Sequence, residues 1–509
     1  MLSKYRHSLR AVYITGLAFV VNYFITFFLT RFLTAKVGVD TYGFVSMAKD
    51  FAQYATYATI ALNAFAVRYI TLEYHNERYV ESNKYYSSVF FGDFIIGTIV
   101  FIIAIILIFN LEKLINIDVN HVFDVKILFL FVFFRFWLNT VFNVYSTGAY
   151  VSNKLYITGV FKLISYIVEA VVLLIIYTFF KSEVWYVGLA LVIAAFIIII
   201  SNVWITQKYA EKLQIKKALI SIKLVFKLMK DGIWSLVSQL GSVLQTGLDM
   251  LFCNLFVSTV AMGQLSIAKS IVLIVNSAFT MVSTSFQPLF LKSYSKGNIR
   301  ELITELKIAV KLSSTFSNIA FAGFFALGLS YYELWIPNQE IGIIYNLTIV
   351  CLIPVVISGI LAPLYYVHTL TVKKKIPCFI NILCGVLNAG SMYILLNFMH
   401  KGVFAVVWTT AVIAIAIGLT VHPIYVAYLL KVKFTEFYGV ILRCLISCGI
   451  MTVVLYSLSR LFKTDRWLFF ILVAVLYLII GCIIQFIIVF NKEEKAKILG
   501  RFIKKLNAN

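Results

Sequence analysis

The sequence predicts an all-α integral membrane protein with about fourteen transmembrane helices: two parallel six-helix lobes, two further C-terminal helices, and both termini in the cytoplasm. Three observations predict it. Of the 509 residues, 61% are apolar and 13% charged, whereas soluble domains are about half apolar and a quarter charged. Stretches such as Ile95–Leu107 are continuously apolar, and fourteen such runs are each long enough to cross a ~30 Å hydrocarbon core at ~1.5 Å per residue. The lysines and arginines also concentrate on alternate connections between those runs. This composition excludes a disordered chain, a soluble nucleic-acid binder and a disulfide-stapled secreted domain. A membrane β-barrel is excluded because it would show alternating segments of ~10 residues.

The runs lie at about 11–30, 43–67, 88–110, 125–147, 156–179, 184–206, 231–256, 264–290, 309–331, 343–368, 377–399, 403–427, 438–459 and 467–490. Lys4, Arg6 and Arg10 precede the first run, as in a signal peptide. That run is too long for a signal core and ends at Arg31 without a small-residue cleavage site, so it is a first span. Counted with their flanks, the N-terminus, the even connections and the C-terminus hold 32 of the 44 Lys and Arg. The odd connections hold 9, and Lys49, Arg135 and Lys269 lie inside spans. Basic connections stay cytoplasmic, which sets the orientation and supports an even span count. The net charge of +22 is thus a topology signal, and no nucleic-acid partner is expected.

Sliding the chain against itself by 220 residues aligns Tyr42–Lys49 with Met262–Lys269, with Gly, Ser, Ala and Lys coinciding. The same offset carries span 1 onto span 7 and continues through span 12. Six spans per repeat is an even number, so the repeats are parallel. The expected organisation is an N-terminal lobe (1–206), a cytoplasmic amphipathic linker helix (207–230), a second lobe (231–430), two additional spans (431–491) and a basic amphipathic tail (492–509). In the linker Ile222, Val225, Phe226 and Met229 share one face; in the tail Leu499, Phe502, Ile503 and Leu506 do. Both oppose a lysine-rich face, which suits anchoring to anionic membrane lipids.

No Walker A, H-E-x-x-H or G-x-S-x-G pattern occurs, and the extracytoplasmic connections are short, so the chain is expected not to be an enzyme. The seven cysteines lie mostly within spans or at their ends; Cys444 and Cys448 share a helix face without metal-ligand spacing. Packing is their expected role, with no metal or cofactor. What remains is a secondary transporter or a structural membrane protein, and charges inside the membrane decide between them. Arg135 and Glu169 sit at equal depth on adjacent spans, which favours a structural ion pair over a transport role. Asp93 and Lys162 are expected to pair likewise near the cytoplasmic ends of spans 3 and 5. Lys49, Asp50, Asp249 and Lys269 are left over.

Those residues lie in polar stripes. Span 2 carries Ser46, Lys49, Gln53, Thr56 and Asn63; its repeat partner carries Ser266, Lys269 and Asn276. Span 1 adds Asn22 and Thr26, and span 7 adds Ser242 and Asp249. Such stripes suit a wet cavity between the halves. The competing reading, lysines snorkelling to the outer boundary, does not require symmetric placement within polar stripes.

Two stretches, Val37-Gly-Val-Asp-Thr-Tyr-Gly-Phe44 and Phe51–Asn63, followed by Arg68-Tyr-Ile70, give the chain a family likeness. It resembles the lipid-linked oligosaccharide flippases, the Wzx-like polysaccharide exporters of the multidrug/oligosaccharidyl-lipid/polysaccharide superfamily. The two lobes and two extra spans extend the likeness over the whole chain. The resemblance implies movement of an undecaprenyl-pyrophosphate-linked oligosaccharide between the leaflets of a bacterial plasma membrane by alternating access. It also implies O-antigen, capsule or exopolysaccharide synthesis and polysaccharide polymerase machinery as a partner. Related peptidoglycan-precursor flippases use cavity arginines on the corresponding helices, where this sequence offers Lys49 and Lys269 as the expected pyrophosphate ligands. The alternative is a multidrug and toxin extrusion cation antiporter of the same fold, but residues 11–30 lack the acid such antiporters commonly place there. An envelope scaffold would not need the polar stripes.

Asp249 is the expected site of coupling to a proton or sodium gradient, with a static Asp249–Lys269 pair as the equal alternative. No proline precedes residue 288, and Pro354 and Pro363 flank Gly359 inside span 10. That span is the expected hinge, against the alternative of a static kink.

Overall fold

A computed structural model of the chain describes residues 2–337, 339–371, 373, 375–462 and 464–496. Among them it is all-helical. The first half contains α1 (Leu2–Val37), α2 (Val39–Asn63), α3 (Ala66–His75), α4 (Tyr79–Phe109), α5 (Leu111–Leu114), α6 (Val122–Val141), α7 (Ser146–Val151), α8 (Leu155–Phe179) and α9 (Trp185–Tyr209). There follow α10 (Ile222–Ser242), α11 (Asp249–Phe256), α12 (Thr259–Ser285), α13 (Gln287–Ser295), α14 (Ile299–Trp335) and α15 (Ile341–Leu370). The chain ends with α16 (Lys375–Asn397), α17 (Val403–Leu419), α18 (Val421–Leu429), α19 (Tyr438–Ser459) and α20 (Trp467–Val489).

Eleven of the described helices are long and apolar enough to span a membrane, or twelve if Val119–Val141 and Asn143–Val151, bent by 49°, form one span. Their large side chains face outward: Ile99, Ile102, Ile103 and Ile106 of α4 are each more than half exposed. That arrangement is untenable in water and natural in lipid. Two of the expected fourteen spans fail the test. They are 43–67, which the structure divides between α2 and the start of α3, and 231–256, which it breaks between α10 and α11. Polar residues along α2 and the interruption at Val243–Gly247 account for this.

The chain forms two compact units, 1–264 with 378–402, and 265–377 with 403–509. Their extents differ from the expected lobes because α10, α11 and α16 pack into the first unit. A side chain at Gly232 of α10 would lie 2.0 Å from the Ala61 carbonyl oxygen of α2, and one at Gly241 would meet Asn381 of α16 at 2.9 Å. Within the same unit Gly43 and Gly263, paired by the 220-residue offset, touch: a Cβ on Gly43 would stand 3.0 Å from the Gly263 backbone.

The expected linker helix is corrected by the structure. Residues 210–221 are a non-α-helical connection with one short 3-10 turn, and 222–230 begin the continuous helix α10. Side chains of α4 hold the connection. Asn83 donates to the Lys212 carbonyl and accepts from the Gln214 amide, while Ser87 and Ser88 accept from the amides of Lys216 and Ser221. These bonds give the backbone partners that a free surface helix would have supplied itself. Of the expected apolar face, Ile222 and Phe226 are exposed, whereas Val225 and Met229 pack with Leu228 against Ile70, Tyr85 and Tyr86. The tail residues Leu499, Phe502, Ile503 and Leu506 lie outside the described residues.

In the second unit a buried polar network joins α14 to α19 and α20. Gln485 donates to Ser314 at 3.0 Å and accepts from Ser447 at 2.8 Å and Asn318 at 3.3 Å; Asn318 also donates to the Cys444 carbonyl. Cys444 and Cys448 lie in the apolar core beside it. Lys311, buried in α14, binds Glu494 at 2.6 Å. Burial pushes the Glu494 carboxyl up, but Lys311 and the Asn491 amide outweigh it and hold the group below the usual glutamate range. A lowered carboxyl stabilises the fold above its unfolded pKa of about 4.3 and loses that contribution as pH falls through its folded value. Glu494→Gln should therefore lower the thermal midpoint at pH 7, and the gap from wild type should close below about pH 4. A gap that did not change with pH would disprove this account of the Lys311–Glu494 pair.

Pro354 and Pro363 both lie within the continuous helix α15. Pro363 has no N–H for the Gly359 carbonyl, four residues back. Ser313 of α14 donates to that carbonyl at 2.6 Å, and a Cβ on Gly359 would meet the Ser317 Cβ at 2.5 Å. The freed carbonyl is thus satisfied by a tightly packed neighbour, as membrane helices require. In this conformation the expected hinge is a clamped contact.

Candidate functional site: a cationic, amide-lined cavity

The first unit holds a half-open cavity of about 440 Å³ between α2 and α6. On α2 it is lined by Lys49, Gln53, Thr56, Ile60 and Asn63, whose steps of three and four residues place them on one helical stripe. The buried side of α2, with Val45, Met47, Ala48 and Leu62, packs into the unit. On α6 the lining residues Arg135 and Asn139 are four apart, and Asn143 follows in the turn after the helix. Lys49 stands roughly 21 Å from Asn63 along α2 and Arg135 roughly 12 Å before Asn143, so the cations lie towards one end of the cavity and the amides of Asn63 and Asn143 form the other.

At the cationic end Lys49 lies deep in the protein, yet the cavity leaves it accessible. It feels the charges of Glu169, Arg135 and Asp50. Arg135 in turn faces Glu169, but across space, short of an ion-pair contact, and its buried Nε has no hydrogen-bond partner. The expected Arg135–Glu169 bridge is thus a charge interaction without direct contact, and Arg135 also lines the cavity. Depth along a helix says nothing about rotation around it. The Asp93–Lys162 pair is corrected. Asp93 is fully buried and accepts from Asn63 Nδ2 at 2.7 Å, whereas Lys162 is exposed on α8. A neutral amide partners one oxygen of the carboxyl group without burying an ammonium, which itself would cost several kcal/mol.

Of the other expected site residues, Gln53 lines this cavity; Asn22, Thr26, Ser46 and Ser242 do not. Asn139 and Asn143 were not singled out from sequence, although their i, i+4, i+8 spacing with Arg135 is visible there. Ser266, Lys269 and Asn276 lie on the second-unit part of α12, where Ser266 is buried. Ser242 closes α10, just before a π-helical break at Val243–Gly247 bracketed by Gly241 and Gly247. The Tyr54 hydroxyl of α2 donates to the Gly247 carbonyl, and Asn388 of α16 donates to the Gln245 carbonyl at 2.5 Å. Asp249 is buried at the start of α11, where a helix N-terminus favours a carboxylate, and its charge reaches Tyr54.

The chain is similar to an uncharacterised membrane protein, EpsK, of Bacillus subtilis (strain 168), with 23% identity over 487 residues and 96% of each chain covered. Among solved structures it is similar to the lipid II flippase MurJ in an inward closed conformation: TM-score 0.68, 17% identity, covering 93% of this chain and 97% of the other. It is also similar to an inward-facing MATE family multidrug resistance transporter, with TM-score 0.64, 12% identity, and 83% and 99% covered. At these identities the structural likeness shows the fold alone. The profile described as polysaccharide biosynthesis protein matches residues 8–294, more than half of the chain. With its many apolar helices, the chain is a multi-pass protein of the bacterial plasma membrane and belongs to the polysaccharide biosynthesis protein family.

Proposed function

We propose that this protein is a flippase that carries a polyprenyl-pyrophosphate-linked oligosaccharide from the inner to the outer leaflet by alternating access, for surface polysaccharide synthesis. The observation that carries the reading is the cavity's charge. Among the described residues its lining holds Lys49 and Arg135, the amides of Gln53, Asn63, Asn139 and Asn143, and no carboxylate. A fixed cation in a low-dielectric cavity attracts a pyrophosphate more strongly than it would in water. The amides of Gln53, Asn139 and Asn143 supply the neutral donors and acceptors that sugar hydroxyls need. A cation antiporter of this fold would require the opposite charge in the same place.

The test is complementation. Introduced into cells lacking the flippase of a surface-polysaccharide pathway, the protein should restore surface polysaccharide. Failure to restore it, together with gained resistance to cationic drugs, would replace this reading with the antiporter.

A further inference from the structure

Behind the amide end of the cavity stands a chain of polar groups that pyrophosphate binding leaves unused. Asp93 is completely buried; one carboxyl oxygen accepts from Asn63 Nδ2 and the other has no partner. Asn63 Nδ2 also donates to the Thr59 carbonyl at 3.1 Å. Both partners accept, so both amide hydrogens of Asn63 are committed and its Oδ1 must point the other way. There it accepts from Asn143 Nδ2 at 3.1 Å. The direction of the whole chain is thereby set. Asn143, which is exposed in the cavity lining, is left with a carbonyl oxygen and one N–H.

We infer that Asn143 reads a sugar of the transported oligosaccharide through one acceptor and one donor, with Asn63 and Asp93 as positioning residues that fix which atom faces the cavity. The inference rests on the flippase reading and deepens it. An amide of undefined orientation presents either edge and discriminates poorly. An amide locked by a buried carboxylate presents one edge, and a sugar that cannot complement it leaves buried polar atoms unpaired. Eight residues separate Arg135 from Asn143, roughly 12 Å along the helix. With the pyrophosphate at the cations, Asn143 meets a sugar beyond the first ring.

The experiment measures binding to the purified full-length protein of three probes: the lipid-linked oligosaccharide extracted from producing cells, undecaprenyl pyrophosphate carrying one sugar, and bare undecaprenyl pyrophosphate. Asn143→Ala should weaken the extracted lipid about tenfold and leave the other two unchanged. Asp93→Asn keeps the shape but lets position 93 donate as well as accept, so it should show the same selective loss, about threefold. Equal affinities of Asn143→Ala and wild type for the extracted lipid would overturn the inference. So would a parallel loss for bare undecaprenyl pyrophosphate, which would make Asn143 a headgroup ligand. Asp93→Asn with the wild-type ratio among probes would remove Asp93 from the positioning chain. If no probe bound the wild type, the flippase reading would fall, and this inference with it.

Discussion

Alanine at both Lys49 and Arg135 should abolish export. Each residue places a cation at one end of a cavity whose lining has no carboxylate, and Arg135 Nε already sits buried without an acceptor. Truncating one partner of a desolvated, charge-assisted contact costs about 2–5 kcal/mol, which is roughly 30-fold or more in affinity for each cation. Asp50 and Glu169 temper the mutual repulsion of the cations while the cavity holds no anion. The double variant removes both cations and leaves a pyrophosphate unheld there. Surface polysaccharide in complemented cells should fall below detection in the double variant and be partly retained in Lys49→Arg, which keeps the charge. Normal polysaccharide in the double variant, at wild-type membrane levels, would show that these cations do not hold the substrate.

Much of this fold is legible in the sequence because lipid imposes simple rules. Length and apolarity alone locate eleven or twelve spans. Those rules are weakest where polar groups enter the membrane. Helix α2 fails an apolarity test, yet its stripe of Lys49, Gln53, Thr56 and Asn63 can be read from helical spacing. The partners across the cavity cannot. Ion-pair reasoning matched Asp93 with Lys162 and Arg135 with Glu169 by depth, while the structure gives Asp93 a neutral amide and places Arg135 in the cavity lining, with Glu169 acting on it only across space. Hydrogen bonds from side chains to backbone, such as Ser87 and Ser88 holding residues 216 and 221, leave no periodic trace either. The same holds for the break at Val243–Gly247, where Tyr54 and Asn388 satisfy carbonyls that a regular helix would have used.

The fold does not separate the two transport readings, because the chain is similar both to a lipid II flippase and to a multidrug transporter at comparable TM-scores. What separates them physically is the sign of the lining charge. That sign depends on the rotation of α6 about its axis, and this rotation is set by packing: Val125, Leu128, Phe129 and Phe133 bury their side chains away from the cavity, and the stripe that lines it carries Arg135 and Asn139 beside Val132 and Phe136. Function here follows from where apolar residues leave room for polar ones.

The second large effect is expected at Gly232, which lies outside the cavity lining. A Cβ there would lie 2.0 Å from the Ala61 carbonyl oxygen and 2.7 Å from its carbon, both backbone atoms that no rotamer change can move. Alanine therefore forces α10 away from α2 along the seam where the cavity-lining helix is seated. Overpacking a tight contact costs about 1–3 kcal/mol when side chains can adjust, and a backbone clash should exceed that range. Helix propensity works in the opposite direction, since alanine is favoured over glycine inside a helix by about 1 kcal/mol. Gly323 of α14 supplies the control, because nothing stands within 4 Å of a Cβ there. Gly323→Ala should leave the thermal midpoint of the purified protein unchanged or slightly raised. Gly232→Ala should lower it sharply, reduce the folded yield and abolish polysaccharide export. If Gly232→Ala proved as stable as Gly323→Ala and still exported, the close seating of α10 on α2 would be wrong, and with it the geometry assigned to the cavity.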